Sequence, residues 1–267
     1  QVKKTIKISS EVFAANLVNE GSIQKVPIGE LPSEPIRLAG NENKSFLATR
    51  PEEHVEELYS YFLGKLLHPK TWNPARQSIG TIDREPLMEL CDQVEVLFRK
   101  EPTLLRLGSP AKIFGSIHGQ YNDLMTFFKK HGAPSDEINE TVNGDIEGFD
   151  YVFLGNIVNM GSNSLETLAL LFSLKLKYKD QIHLIRGQHE HLEMTRKNGL
   201  AWECSQKLKE NPESHDSVFS RINEVFEYLP LAGVINNQYL CASGGIGSTI
   251  QSLGEIETIS RPLNLSK

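Results

Sequence analysis

The chain has 267 residues, of which 39% are hydrophobic and 23% charged; this is the balance of a soluble globular protein large enough to bury a sizeable core. Its formal net charge of −6 supplies no field that would gather nucleic acid, and no apolar run reaches the roughly 20 residues a membrane span needs. Cys91, Cys204 and Cys241 form neither a CxxC pair nor an even framework, which points to a reduced intracellular setting.

Residues 1–50 read as a linker or the end of a preceding domain, because GELPSEPIRLAGNENKSF is rich in Pro, Gly and polar residues and holds no period. Within that segment KKTIKIS alternates like a strand and is expected to pair with something outside it. The chain begins at Gln1 with no apolar leader, and so reads as a piece of a longer polypeptide.

From Pro51 the pattern turns helical. Pro51, Glu52 and Glu53 suit a first turn, and Val55, Leu58, Phe62 and Leu66 make one apolar stripe. HPKTWNP (68–74) ends it. A second helix follows near Glu85, with Leu87, Leu90, Cys91, Val94, Leu97 and Phe98 on one face and Pro102 beyond its end. Residues 51–110 are therefore expected to be helices that pack on the domain after them. Beyond 110 the pattern is α/β (α+β). Short apolar strands fall at 111–115, 151–155 and 182–187, with helical stretches near 119–130, 163–178 and 217–228. LAGVINNQYLCASGG (231–245) reads as a hairpin turning at Asn236-Asn237. Trp72 and Trp202 are expected to be packing residues, and His131, His183, His191 and His215 to lie at the surface or in loops.

Each strand after 110 runs into a glycine-bearing turn with polar residues at its tip: GSIHG (115–119), GNIVNMG (155–161), GQHEH (187–191) and SGG (243–245). Strand C-termini of α/β sheets are where ligands tend to sit. One such turn is ordinarily just a turn; four in succession bring His, Asn, Gln and Ser toward a common site.

In these stretches the chain resembles the PPP-type serine/threonine phosphatases. The resemblance is carried by KIFGSIHGQYNDLMTFF, YVFLGNIVNMGSNSLETLALLFSLKLKYKDQIHLIRGQHEH and FEYLPLAGVINNQYLCASGGIG, in order and with natural spacing over residues 84–263. LLHPKTWNP, RLGSPAKIFG and GGIGSTIQSLGEIETISRPL narrow it toward the Kelch-repeat phosphatases of plants and protists. The resemblance implies a calcineurin-like metallophosphatase β-sandwich flanked by helices, with residues 111–267 as its core and the C-terminal part of the fold beyond Lys267. It also implies a Kelch propeller in the same polypeptide and two divalent metals such as Mn, Fe or Zn. In that family the metals share a water, lower its pKa and aim it at a phosphate monoester.

The family's motifs are GDxHG, GDxVDRG, GNHE and HGG, and this chain departs from each. The first metal-ligand Asp is Ser116, while its His partner survives as His118. The bridging Asp is Asn156. The Asp that orients the acid histidine is Asn159, and the phosphate-clamping Arg is Met160. The metal-binding Asn of the third motif is Gln188, beside the retained acid histidine, His189. The metal-binding His of the fourth motif is Ser243. Three carboxylates implied by the resemblance are thus absent. Hard cations need such charge to offset dehydration, and an amide or hydroxyl does not supply it. A bound water whose pKa falls from ~15.7 to ~7 gains on the order of 12 kcal/mol toward forming the nucleophile.

The substitutions also agree with one another, since acids became neutral hydrogen-bonding residues and the arginine went with them. The expectation is a pseudophosphatase with no functional catalytic residue and no metal cofactor, acting as a scaffold among protein partners in the cytoplasm, at the cytoskeleton or a cilium. Two alternatives compete with it: a weakly active metal-dependent phosphatase, and a module that binds phosphoproteins without cleaving them.

Overall fold

The computed structural model describes residues 51–75 and 79–264. The expected KKTIKIS strand and the linker at residues 1–50 lie outside them. The described elements belong to the compact unit Phe46–Lys267. In chain order they are α1 (Glu52–Leu66), α2 (Arg84–Lys100), β1 (Leu104–Leu107), β2 (Ala111–Phe114), α3 (Tyr121–His131), β3 (Asp150–Phe153), α4 (Ser164–Lys177), β4 (Ile182–Leu184), α5 (Leu192–Asn198), α6 (Leu200–Leu208), α7 (Val218–Phe226), β5 (Ala232–Ile235), β6 (Tyr239–Ala242) and α8 (Leu253–Glu257).

The strands form two sheets. One is wholly parallel, in the order β2-β3-β4; the other runs β1-β5-β6, with β1 and β5 parallel and β5 and β6 antiparallel. Their facing sides meet over Leu105, Leu107, Ile235 and Cys241 from one sheet and Val152 and Ile185 from the other. This is the sandwich that the resemblance implies. Because side chains alternate along a strand, Tyr151 and Phe153 leave the opposite face of β3 and join the main helical core. Leu104, Ala232 and Val234 leave the outer face of the other sheet and meet Ile256 of α8.

The main core is built on α4, in which every residue from Ser164 to Leu176 is buried. A helix apolar on all sides needs neighbours all round. It has them in α1, α2, α3 and α6. Lys175 lies inside this core and is fully hydrogen-bonded, donating to the carbonyls of Lys179 (2.6 Å) and Ile182 (2.8 Å) and pairing with Glu101.

Several sequence expectations need revising. The helical segment 51–110 also contributes a strand, β1, whose four letters LLRL are too short for a period to show. Helices α5, α6 and α8 are likewise short. His183 is not at the surface: it lies in β4 paired with Val152 and is buried. Its Nε2 is 3.8 Å from Asp150 Oδ2. Burial, with Lys175 nearby, pushes its pKa down to about 4. Trp202 does not pack but is 67% exposed. Trp72 does pack, edge-on to Tyr121 at 5.2 Å. The hairpin turns where expected, with Asn236 and Asn237 at φ 51° and 54°, as a type I′ turn requires.

Candidate functional site

The turns that follow β2, β3 and β4 lie side by side because those strands are parallel neighbours. Backbone bonds lock the first to the second: the N–H groups of Ile117 and His118 both donate to Asn156 O (3.0 and 2.8 Å), and that of Gly119 donates to Ile157 O (2.7 Å). The second and third turns approach so closely that a Cβ on Gly155 would stand 2.3 Å from the nitrogen of Gly187; at φ +86° the position also favours glycine.

Glu190 ties these two turns together. Fully buried, it accepts the N–H groups of Asn156 (2.7 Å) and Gly187 (2.8 Å) on Oε2 and that of Ile157 (2.7 Å) on Oε1. Burial raises its pKa while these donors pull the other way. Glu190 is a functional-site residue that the strand-end pattern alone does not single out. Its signals are the Glu that closes the GNHE motif and its place in a short glycine turn directly after a buried strand.

Four site residues, His118, Asn156, Asn159 and Met160, hold positive φ of 51–71° without being glycine. Asn tolerates this region, whereas it is unusual for a long side chain such as Met. Each turn is held there by the bonds around it.

The polar side chains then form one chain of contacts. Asn156 works from both ends of its amide: Nδ2 donates to Ser116 Oγ (3.1 Å), and Oδ1 accepts the His189 N–H (3.0 Å). Asn159 is completely buried. Its Oδ1 accepts the Leu200 N–H (3.1 Å), and its Nδ2 faces His189 Nδ1 (3.1 Å) and His189 O (3.4 Å). That geometry fixes a tautomer. The Leu200 N–H can face only an oxygen, so the amide nitrogen must face His189. Nδ1 then has to accept, and the ring proton resides on Nε2. Burial and the neighbouring His118 ring both lower the His189 pKa; the two rings meet edge-on with centroids 4.6 Å apart.

Met160 stands 71% exposed at the rim, its N–H bonded to Asn198 O at 3.1 Å. The structure therefore brings together Ser116, His118, Asn156, Asn159 and His189. Gln188 is exposed and Ser243 half-exposed, and among the described residues no hydrogen bond joins either to this set.

A mixed sandwich with a polar site at its parallel strand ends is the architecture of metal-dependent phosphoesterases. Residues 110–267 match the calcineurin-like phosphoesterase family, and the chain belongs to it. It is 36% identical over 249 residues to serine/threonine-protein phosphatase BSL2 of Arabidopsis thaliana, a match covering 92% of this chain and 24% of that protein. The chain thus spans about a quarter of the length of that relative. Among solved structures it resembles a protein serine/threonine phosphatase from Saccharomyces cerevisiae described as similar to human phosphatase PP5. The TM-score is 0.60 at 26% identity, covering 78% of this chain and 60% of that one.

Membership of this family overturns the expectation of a protein without a cofactor, because divalent metals are the family's normal equipment. The donor set can be tested against that equipment. The positions that the resemblance assigns to the family's ligands, Ser116, His118, Asn156, Gln188 and Ser243, hold one imidazole, two amides and two hydroxyls. Among the described residues no group of three or more His, Cys, Asp or Glu comes together that could hold an ion. Both ends of the Asn156 amide are already hydrogen-bonded. Such a set does not fit a carboxylate-bridged pair of hard cations.

Proposed function

We propose that this serine/threonine-phosphatase-family domain is a pseudophosphatase, a structural or scaffolding module that keeps the fold without turning over phosphate. The observation that carries this reading is the Asn159–His189 hydrogen bond. General-acid help of ~10²–10⁴-fold needs an imidazole that readily takes up and gives back a proton. A carboxylate at Nδ1 favours the imidazolium. The amide N–H of Asn159 opposes it, because a protonated Nδ1 would set two donors against each other.

Two further observations point the same way. Met160 cannot make the bidentate phosphate contact of an arginine, and Asn156 is a neutral amide whose two ends already bond Ser116 and His189. The resemblance to Kelch-repeat phosphatases carries a companion proposal, a propeller in the same polypeptide. The reading is tested by incubating the purified domain with a phosphoserine peptide and Mn²⁺ and following phosphate release. Release no faster than with Mn²⁺ alone is expected. Release that rises with domain concentration would overturn the proposal. Tighter binding of that peptide than of its unphosphorylated form, without release, would favour a phosphoprotein-binding module instead.

A further inference from the structure

Outside the site, one charged group joins three elements that meet at its edge. Lys207 Nζ lies 2.7 Å from both carboxylate oxygens of Glu166 on α4, 2.7 Å from Glu203 Oε1 on its own helix α6, and 2.8 Å from the carbonyl of Ser162 in the loop carrying Asn159 and Met160. The Glu166 and Glu203 side chains are only 3% and 2% exposed. Two buried carboxylates side by side repel each other and resist desolvation, so they depend on the cation between them.

Glu203 does more than pair with Lys207. Its two oxygens accept the N–H groups of Ser164 (2.9 Å) and Leu165 (3.0 Å) at the start of α4. Ser164 Oγ in turn accepts the backbone N–H of Asn159 at 3.1 Å. A second route runs along α6 itself, whose first N–H, that of Leu200, holds Asn159 Oδ1 at 3.1 Å. Both routes end on the residue that fixes the His189 tautomer.

We infer that Lys207 is a positioning residue for His189: through Glu203, Ser164 and Leu200 its charge holds the Asn159 amide in place and thereby keeps His189 as the Nε2–H tautomer. This rests on the Asn159–His189 bond that supports the proposed function, and it extends that reading to a lysine at the molecule's edge. Removing the charge leaves two carboxylates facing each other. Helix α6 and the loop at 159–163 then separate from α4, and Asn159 is no longer held at Nδ1.

The test is imidazole ¹H–¹⁵N correlation NMR on the full chain labelled with ¹⁵N-histidine, with thermal melting run in parallel. The expected wild-type result is a single Nε2–H pattern for His189. Lys207→Met should give an exchanging mixture of tautomers, and Lys207→Arg should return the wild-type pattern, which a loss of stability alone would not explain. Ser164→Ala interrupts the route through Ser164 Oγ, leaves the Leu200 route in place and unpairs no charge; it carries the test if Lys207→Met does not fold, and because both routes are needed a mixture is expected there too. A single Nε2–H pattern retained in a folded Lys207→Met or in Ser164→Ala would overturn the inference and leave the proposed function standing. A wild-type spectrum lacking the Nε2–H pattern would remove the Asn159–His189 argument itself.

Discussion

At the scale of single residues, the site is defined by which groups donate and which accept. Asn159→Asp replaces a donor at His189 Nδ1 with an acceptor, so the imidazolium gains a partner and the histidine pKa rises. An NMR titration of His189 should show the midpoint moving up relative to wild type; an unchanged or lower midpoint would refute the assigned geometry. Glu190→Gln exchanges one carboxylate oxygen for an NH₂ group that faces backbone donors in a fully buried place. It should destabilise the fold by about 3 kcal/mol in chemical denaturation, from weakened and unpaired hydrogen bonds. Ser116, Asn156, Asn159, Met160, Gln188 and Ser243 stand out in the sequence through the resemblance, by their places in the motif turns; the structure brings Ser116, Asn156 and Asn159 together. How they use their hydrogen bonds was not legible. Whether Asn159 donates to or accepts from His189 depends on Leu200, 41 residues away in sequence, and no local pattern carries that pairing.

At the scale of elements, the legible parts were those with a long apolar period. Helices α1, α2, α4 and α7 fall where their stripes or apolar runs place them, and the Asn236-Asn237 turn sets the hairpin. Strand β1 and helices α5, α6 and α8 were not legible. Each is short, and each is stabilised by what it packs on: β1 by β5, and α6 by α4 and α7. Lengths of four to nine residues leave little room for periodicity to act as a signal. His183 misled for a related reason, since a polar letter among the β4 apolar residues gives no hint that the whole of this strand is buried even though it lies at the edge of its sheet. Packing predicts a contrast between two substitutions. Leu171→Ala in the enclosed α4 should cost ~3 kcal/mol through the lost contacts and the cavity left behind. Trp202→Ala on the exposed side of α6 should stay within about 0.5 kcal/mol. Denaturant midpoints of the two variants decide the matter, and similar losses in both would contradict the described core.

At the scale of the whole molecule, stability should depend on pH through His183. Its folded pKa of about 4 lies below the ordinary histidine value of 6.5. The unfolded chain therefore takes up the proton first on acidification. The contribution is fully present above pH 6.5 and is lost as pH falls toward 4, reaching about 3 kcal/mol at ~1.4 kcal/mol per pK unit. Denaturation at pH 7 and pH 4.5 should show a smaller loss in His183→Leu than in wild type, and equal losses would rule out this origin. The sandwich itself was foreseeable through the resemblance, because the motif turns, strands and hairpin occur in family order. The chain keeps that scaffold, with the side chains of Ser116, Asn156 and Asn159 beside two histidines at its parallel strand ends. Whether that site hydrolyses phosphate is measured most directly with an aryl phosphate, an undemanding substrate, in the presence of Mn²⁺. The account predicts no turnover above that of the metal in buffer and no difference between wild type and His189→Ala. Turnover proportional to protein concentration, and abolished in His118→Ala or His189→Ala, would contradict it.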